Sequence, residues 1–351
     1  MNGPEGQSPS GGVQVQSTTV AVDLAKSVFQ VAESHRPGRV VASRRLSRGQ
    51  FEKYIVQSEP SRFLLEACGS AHHWGRVLLK HGHQVKLLPP HRVRGYRTGN
   101  KTDRADTKAL LEADRNEEIL PVPVKSEDQQ CLASLHRLRS GYQQSKVARI
   151  NSVRGLLREY GITIPKGAEK VVPFVHGLDP DAIPPVLAQA LRDAVEDIQA
   201  LAVCILRVEK QLSQMAHELP VVRYLLTIPG IGLITATAIV AVVGDIRRFR
   251  SGRRLAKYLG LTPREHSTGL KRRLGSITKQ GDTYLRMLLI HGARVVLSWA
   301  RKKNKQDPLS RWALAVEARR GHNIATVALA NKLTRIAWVV MKENRNFRVS
   351  A

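Results

Sequence analysis

Apolar positions follow two different rhythms along the chain. Up to about Leu88 short strand-like apolar runs alternate with two helix-spaced segments, and from about Asp103 onward apolar positions recur at helical spacing. The first run is Thr18 to Val22, ending in Asp23; Val28 to Ala32 and Arg39 to Ala42 follow, with the turn signal Pro37-Gly38 between them. Gln50 to Gln57 is spaced as a helix, Arg62 to Leu65 as a strand leading into Glu66, Ala71 to Lys80 as a second helix, and Val85 to Leu88 as a strand stopped by Pro89-Pro90. Thr102 is a good N-cap for a helix opening at Asp103.

Beyond that point the pattern predicts helices throughout. Ser126 and Gln129 make a capping-box signature for a long basic amphipathic helix that closes at Gly161, followed by Pro/Gly-rich connecting chain to Pro185. Leu187, Leu191, Ala194, Ile198, Leu201, Ile205, Val208, Leu212, Met215 and Leu219 alternate by four and three without a slip. That stripe favours a coiled coil, within the chain or between subunits, and it is expected to mediate assembly. Leu225 to Val243 reads as helix, Pro229-Gly230-Ile231-Gly232 turn, helix. It is either a helix-hairpin-helix-like element, whose Gly230 and Gly232 amides meet a phosphate, or an ordinary buried helical hairpin. Tyr284 to Ala300 and Trp312 to Met341 complete the helical part, the latter as a pair broken at Gly321-His322-Asn323.

Charge changes the picture more than composition does. With 56 Lys and Arg against 29 Asp and Glu, the net charge is +27, which points to a polyanionic partner, nucleic acid above all. An anionic membrane surface is the rival, yet the longest uncharged run, Tyr224 to Gly244, is broken by its Pro-Gly turn into pieces too short to span a bilayer. Cys68, Cys131 and Cys204 are isolated, without disulfide or zinc-ribbon spacing, which suits a reducing cytoplasm. The first 17 residues, rich in Gly, Ser and Gln, read as a flexible tail. Two segments concentrate the positive charge. Lys80 to Lys101 holds three Lys and three Arg and no acid, and reads as a basic loop with Arg92, Arg94, Arg97 and Lys101 placed for phosphates. Arg247 to Lys279 holds eleven Lys or Arg and one acid, Glu265; Arg253, Arg254, Arg264, Lys271, Arg272, Arg273 and Lys279 are the candidates to grip nucleic acid.

Candidate chemistry rests on four acids at element ends. Three strands, helix, strand, helix, strand, helix is the order of a ribonuclease H-like α/β fold, in which the first and fourth strands lie side by side. Asp23 and Glu66 then project near each other, and Asp103 and Asp106, three apart, share a face of the last helix. Such carboxylates coexist only if a divalent cation neutralises them, and oxygen-only ligands favour Mg2+ or Mn2+. Two helix-starting acids are the plain alternative for Asp103 and Asp106. His72, His73, His81 and His83 lack metal-site spacing and read as helix-surface or phosphate contacts. Ser267 lies in a loop after Pro263 with Arg264, His266 and Lys271 to Arg273 around it; by position alone it is a turn former.

Several of these stretches, in one order, carry a resemblance. Val20-Ala-Val-Asp23, Leu65-Glu66-Ala-Cys-Gly-Ser, Lys101-Thr-Asp103-Arg-Ala-Asp106, Ile228-Pro-Gly-Ile-Gly232, Tyr258-Leu-Gly-Leu-Thr-Pro-Arg-Glu-His-Ser267 and Ile277-Thr-Lys-Gln-Gly-Asp282-Thr-Tyr-Leu-Arg286 together resemble the insertion sequence 110 family of DEDD transposases, nearer its eleven-eleven subgroup. The resemblance implies a RuvC-like N-terminal domain over 18–125, a helical coiled-coil region over 126–220 and a mainly α serine transposase domain over 221–345, with a tail at 346–351. It also implies a homo-oligomeric recombinase, a dimer or tetramer in the bacterial or archaeal cytoplasm, that excises and integrates its element on donor and target DNA, guided by a noncoding bridge RNA. Asp23, Glu66, Asp103 and Asp106 with Mg2+ are its catalytic acids, supplied beside the serine from another subunit, and Ser267 takes the place of the essential serine. The family often has two serines before the glycine; here the second position is Thr268, which a register one residue later would select. A Holliday-junction nuclease needs only the acids, and a structural nucleic-acid binder needs only the basic surface.

Overall fold

A computed structural model describes residues 18–36, 39–100, 102–269 and 271–348. The Pro37-Gly38 turn, Lys101 and the expected N-terminal tail lie outside the described residues. The chain forms two compact units that meet in sequence between Ser126 and Glu127.

The first unit is a mixed α/β domain. Its strands are β1 (Thr19–Asp23), β2 (Val28–Ser34), β3 (Ala42–Ser47), β4 (Arg62–Glu66) and β5 (Gln84–Leu88), in the spatial order β3-β2-β1-β4-β5. β1 and β2, and β2 and β3, run antiparallel, whereas β1, β4 and β5 run parallel, so the first and fourth strands are neighbours as expected. Alternation sorts each strand between two covered faces. Val20, Val22, Phe63 and Leu65 point to the side of α1 (Arg48–Gln57) and α2 (Ala71–Lys80), where Phe29, Phe51 and Trp74 meet edge-on at 5.1–5.2 Å. Ala21, Leu64 and Leu88 form the opposite core with Val93 of the short α3 (Pro90–Val93) and Ala109, Leu110 and Ala113 of α4 (Asp103–Asp114). Asp114, near the end of α4, accepts from Arg62 and Lys86 at 2.6 Å each and so ties the helix to β4 and β5.

The second unit is almost wholly helical: α5 (Glu127–Glu159), α6 (Val171–His176), α7 (Pro185–His217), α8 (Pro220–Leu226), α9 (Leu233–Val243), α10 (Gly252–Tyr258), α11 (Thr283–Lys302), α12 (Pro308–Arg320) and α13 (His322–Glu343), with a hairpin of β6 (Pro263–Glu265) and β7 (Leu274–Ile277). α13 is long and apolar enough to cross a membrane, but Ala325, Leu329, Ala330, Leu333 and Ala337 are buried in the unit's main core.

Several expectations are corrected. The heptad stripe is covered by its own chain: Leu191 and Ile198 pack with Ile150, Val153 and Leu157 of α5, and Val208 and Leu212 join a core with Leu132, so the seam is internal rather than an assembly surface. The third strand starts at Ala42 instead of ending there, because the apolar Val40 and Val41 precede an edge strand carrying Arg44 and Arg45. The connection from Gly161 to Pro185 holds α6, whose Val171 and Val175 are buried. Lys80 to Lys101 is not one loop; besides the expected strand, β5, it contains α3 and a 3-10 turn at Arg94–Tyr96. Residues 346–348 are not a free tail either, since Phe347 packs on the core and its amide donates to Thr227 Oγ1 at 2.8 Å.

His136 is buried between Thr237 Oγ1 (3.0 Å) and Tyr284 Oη (3.2 Å). Burial first, and the Arg139 charge second, push its pKa from 6.5 down to about 4. The unfolded chain therefore takes up this proton before the folded one does. Stability is expected to fall as pH drops from 6.5 towards about 4, by about 2–3 kcal/mol, with no effect above that window. Denaturant unfolding at both ends of the window, with His136→Asn as the control that shrinks the difference, measures it.

Candidate active site

Parallel pairing sets the first two acids. The β1–β4 ladder runs Thr19↔Arg62 to Val22↔Leu65, and Asp23 and Glu66 are the next residue on each strand, at the same end of the sheet. α4 packs on β1, β2, β4 and β5 through its apolar face. Its N-cap is Thr102, extended at φ −139°, ψ 152°, whose Oγ1 accepts from the Ala105 amide at 3.2 Å, and its first turn carries Asp103 and Asp106. Both are engaged by arginines. Arg97 Nε lies 2.5 Å from Asp106 Oδ1 in a half-buried pair, and Arg45 lies 3.6 Å from Asp103 in an exposed one.

Among the described residues no three His, Cys, Asp or Glu side chains converge as a metal-holding group. The donor chemistry nonetheless fits a hard divalent cation, being carboxylate oxygen throughout, with no imidazole or thiolate among the four. The guanidinium against Asp106 shows that this turn attracts positive charge. Arg92 and Arg94 are exposed on α3 and the 3-10 turn, whereas Arg97 is turned onto Asp106. The histidines divide: His73 and His81 are exposed, but His83 is buried, accepting from the Ser61 amide at 3.2 Å and meeting the Ile55 carbonyl at 2.9 Å, a packing role that the sequence reading missed.

The second constellation is the β6–β7 hairpin, read from sequence as a loop. Its base is held by main-chain contacts. Thr278 and Lys279 amides donate to the Thr262 and Gly260 carbonyls at 2.9 and 3.1 Å. Buried Arg286 donates to the Leu259 and Gln280 carbonyls at 3.2 and 2.8 Å. Gly281, at φ +74°, has no room for a side chain, because a Cβ there would stand 2.1 Å from the Tyr258 carbonyl oxygen. The arms and tip are exposed, presenting Arg264, Lys271, Arg272, Arg273 and Lys279 to solvent, with Arg253 and Arg254 exposed on neighbouring α10. Ser267 sits near the tip. Its Oγ donates to Glu265 Oε1 at 2.8 Å and accepts from the Arg273 amide at 3.3 Å. Thr268 is tied through its backbone to Lys271, at 3.3 and 3.1 Å. Glu265 is thus a site residue that sequence reading passed over; its signal was to be the one acid in a cationic segment.

The Pro229–Gly232 turn has a packing explanation. Gly230, at φ +80°, approaches Gly292 of α11 so closely that a Cβ would meet the Gly292 carbonyl oxygen at 2.8 Å. α9 behind it is buried over most of its length, as in the helical-hairpin alternative; Gly232 is its exposed N-cap.

Comparison with known proteins places both constellations inside recognised segments. A DEDD-type model described as "Transposase" matches residues 20–162, which include all four acids, and one described as "Transposase IS116/IS110/IS902 family" matches 222–307, which include Ser267. The chain is 41% identical over 333 residues to a "Probable family 20 transposase" of Pseudomonas aeruginosa, covering 94% of this chain and 98% of that one. It is 36% identical over 335 residues to the "Transposase for insertion sequence element IS1111A" of Coxiella burnetii, covering 95% and 92%. A "Pilin gene-inverting protein" of Moraxella lacunata is similar at 23% identity over 352 residues, 95% and 98% of the two chains.

Proposed function

The chain belongs to the IS116/IS110/IS902 family of transposases, and from that premise we propose that it excises and integrates its insertion sequence through a covalent link between DNA and Ser267. The observation that carries this reading is the setting of Ser267: an exposed hydroxyl on a hairpin whose base is fixed and whose surface is arginine-rich. A free serine hydroxyl is a poor nucleophile, and a phosphate drawn against it needs its charge offset. Arg264, Lys271, Arg272 and Arg273 supply that offset and orient the phosphate.

Asp23, Glu66, Asp103 and Asp106 would hold Mg2+ or Mn2+, which when bound contributes positive charge to the phosphate under displacement. Arg97 then exchanges Asp106 for phosphate and joins Arg92 and Arg94, with Lys101, in holding the strand. Arg253, Arg254, Lys279 and the Gly232 amide extend the grip across the second unit, while Gly230 serves the helix packing already described. The charge of +27 leaves ample surface for a noncoding bridge RNA pairing with donor and target DNA, in a cytoplasmic homo-oligomer whose subunits share the acids and the serine between them.

Denaturant trapping of the reaction tests the proposal. A protein–DNA adduct is expected with the native chain, absent in Ser267→Ala and retained in Thr268→Ala. An adduct lost in Thr268→Ala and kept in Ser267→Ala moves the nucleophile by one residue. Cleavage without any adduct makes water the nucleophile and leaves a junction nuclease.

A further inference from the structure

Glu265 is the one acid among the eleven Lys and Arg between Arg247 and Lys279, and it closes β6 two residues before Ser267. The His266 amide donates to the Arg273 carbonyl at 2.9 Å, continuing the Glu265↔Leu274 pairing towards the tip. Just past the end of β6 the chain brings the carboxylate and the hydroxyl within hydrogen-bond reach of each other. The Ser267 proton points at Glu265 Oε1 (2.8 Å), and Arg272 Nε approaches the same oxygen at 3.2 Å. A hydroxyl has one proton and two lone pairs. Glu265 takes the proton, the Arg273 amide occupies one lone pair, and the second is left to attack.

We propose that Glu265 is the general base for Ser267, a catalytic role that rests on the reading of Ser267 as the nucleophile. As the Oγ–P bond forms, the Oγ proton passes to Glu265 Oε1, and the P–O bond to the departing deoxyribose oxygen breaks. That oxygen leaves as a hydroxyl with a proton from water. On rejoining, a DNA hydroxyl attacks the phosphoserine and gives its proton to water, the Oγ–P bond breaks, and protonated Glu265 returns its proton to Oγ. The Ser267 hydrogen bond, and then the Arg272 charge, hold the Glu265 carboxyl below its ordinary range, so it stands ionised at neutral pH.

Glu265→Gln separates this role from a structural one, since an amide keeps the shape and the hydrogen-bond acceptor but takes up no proton. Single-turnover adduct formation on a DNA substrate is expected to slow about 10²–10⁴-fold in Glu265→Gln with DNA affinity unchanged. Glu265→Asp is expected to be faster than Glu265→Gln. In Ser267→Cys a thiol, far more acidic than a hydroxyl, supplies some thiolate without a base, so adding Glu265→Gln there is expected to cost much less than it does in the native chain. A native rate in Glu265→Gln, an aspartate variant no faster than the glutamine one, or an equal loss in the Ser267→Cys background overturns the proposal. The reading of Ser267 itself fails differently, by an adduct that survives Ser267→Ala or never forms in the native chain.

Discussion

Asp103→Asn is expected to lower DNA strand transfer by at least about 10³-fold while leaving folding and DNA binding in place. The size follows from removing one charge from the set of carboxylates proposed to hold a divalent ion, a change worth several kcal/mol at the reacting phosphate if they do so. The specificity follows from the structure. Asp103 is exposed, and among the described residues its ion pair is with the exposed Arg45 at 3.6 Å, a pair that contributes at most about 1 kcal/mol. Thr102, not Asp103, caps α4, so the helix start survives the substitution. Thermal unfolding and filter binding alongside the strand-transfer assay distinguish chemistry from fold. Full activity of this variant, or of the native chain in excess chelator, removes the four acids from the mechanism.

Leu212→Ala carries the largest expected effect on stability. Leu212 is fully buried in the main core of the second unit, with Leu132 of α5 among its companions. Truncating such a leucine leaves a cavity and costs about 2–5 kcal/mol. For a unit of this size that is a fall of about 5–15 °C in melting temperature. The stripe to which it belongs is internal, so light scattering is expected to give the same subunit number for the folded variant. A lower subunit number at an unchanged melting temperature would place the seam between chains.

The contrast between these two sites shows what the sequence made legible. β1, β4 and α4 were readable because a short apolar run, a following acid and a Thr N-cap each have a local physical cause, and parallel pairing of β1 with β4 followed from the element order. The heptad was equally readable as a helix, but its partner was not: a stripe states that Leu191 and Leu212 need burial and not which chain provides it. The hairpin escaped altogether. β6 and β7 are three and four residues long and exposed along nearly all of their length, so no alternation of apolar and polar residues marks them. With the hairpin went Glu265, which looked like a stray acid until the fold set it against Ser267. Arg97 shows the opposite failure, a cation whose acidic neighbour lay nine residues ahead and could not be chosen from charge alone.

The same hairpin also bears on how such a protein can diverge. Its base is fixed by glycines and by buried Arg286, where almost any replacement collides with backbone or strands carbonyls, while the described residues of its tip are exposed. Mutations at the base are therefore filtered by whether the domain folds, and mutations at the tip only by whether the chemistry works. Changes to the cationic tip, the part proposed to meet nucleic acid, are therefore expected to cost the scaffold that carries it almost nothing.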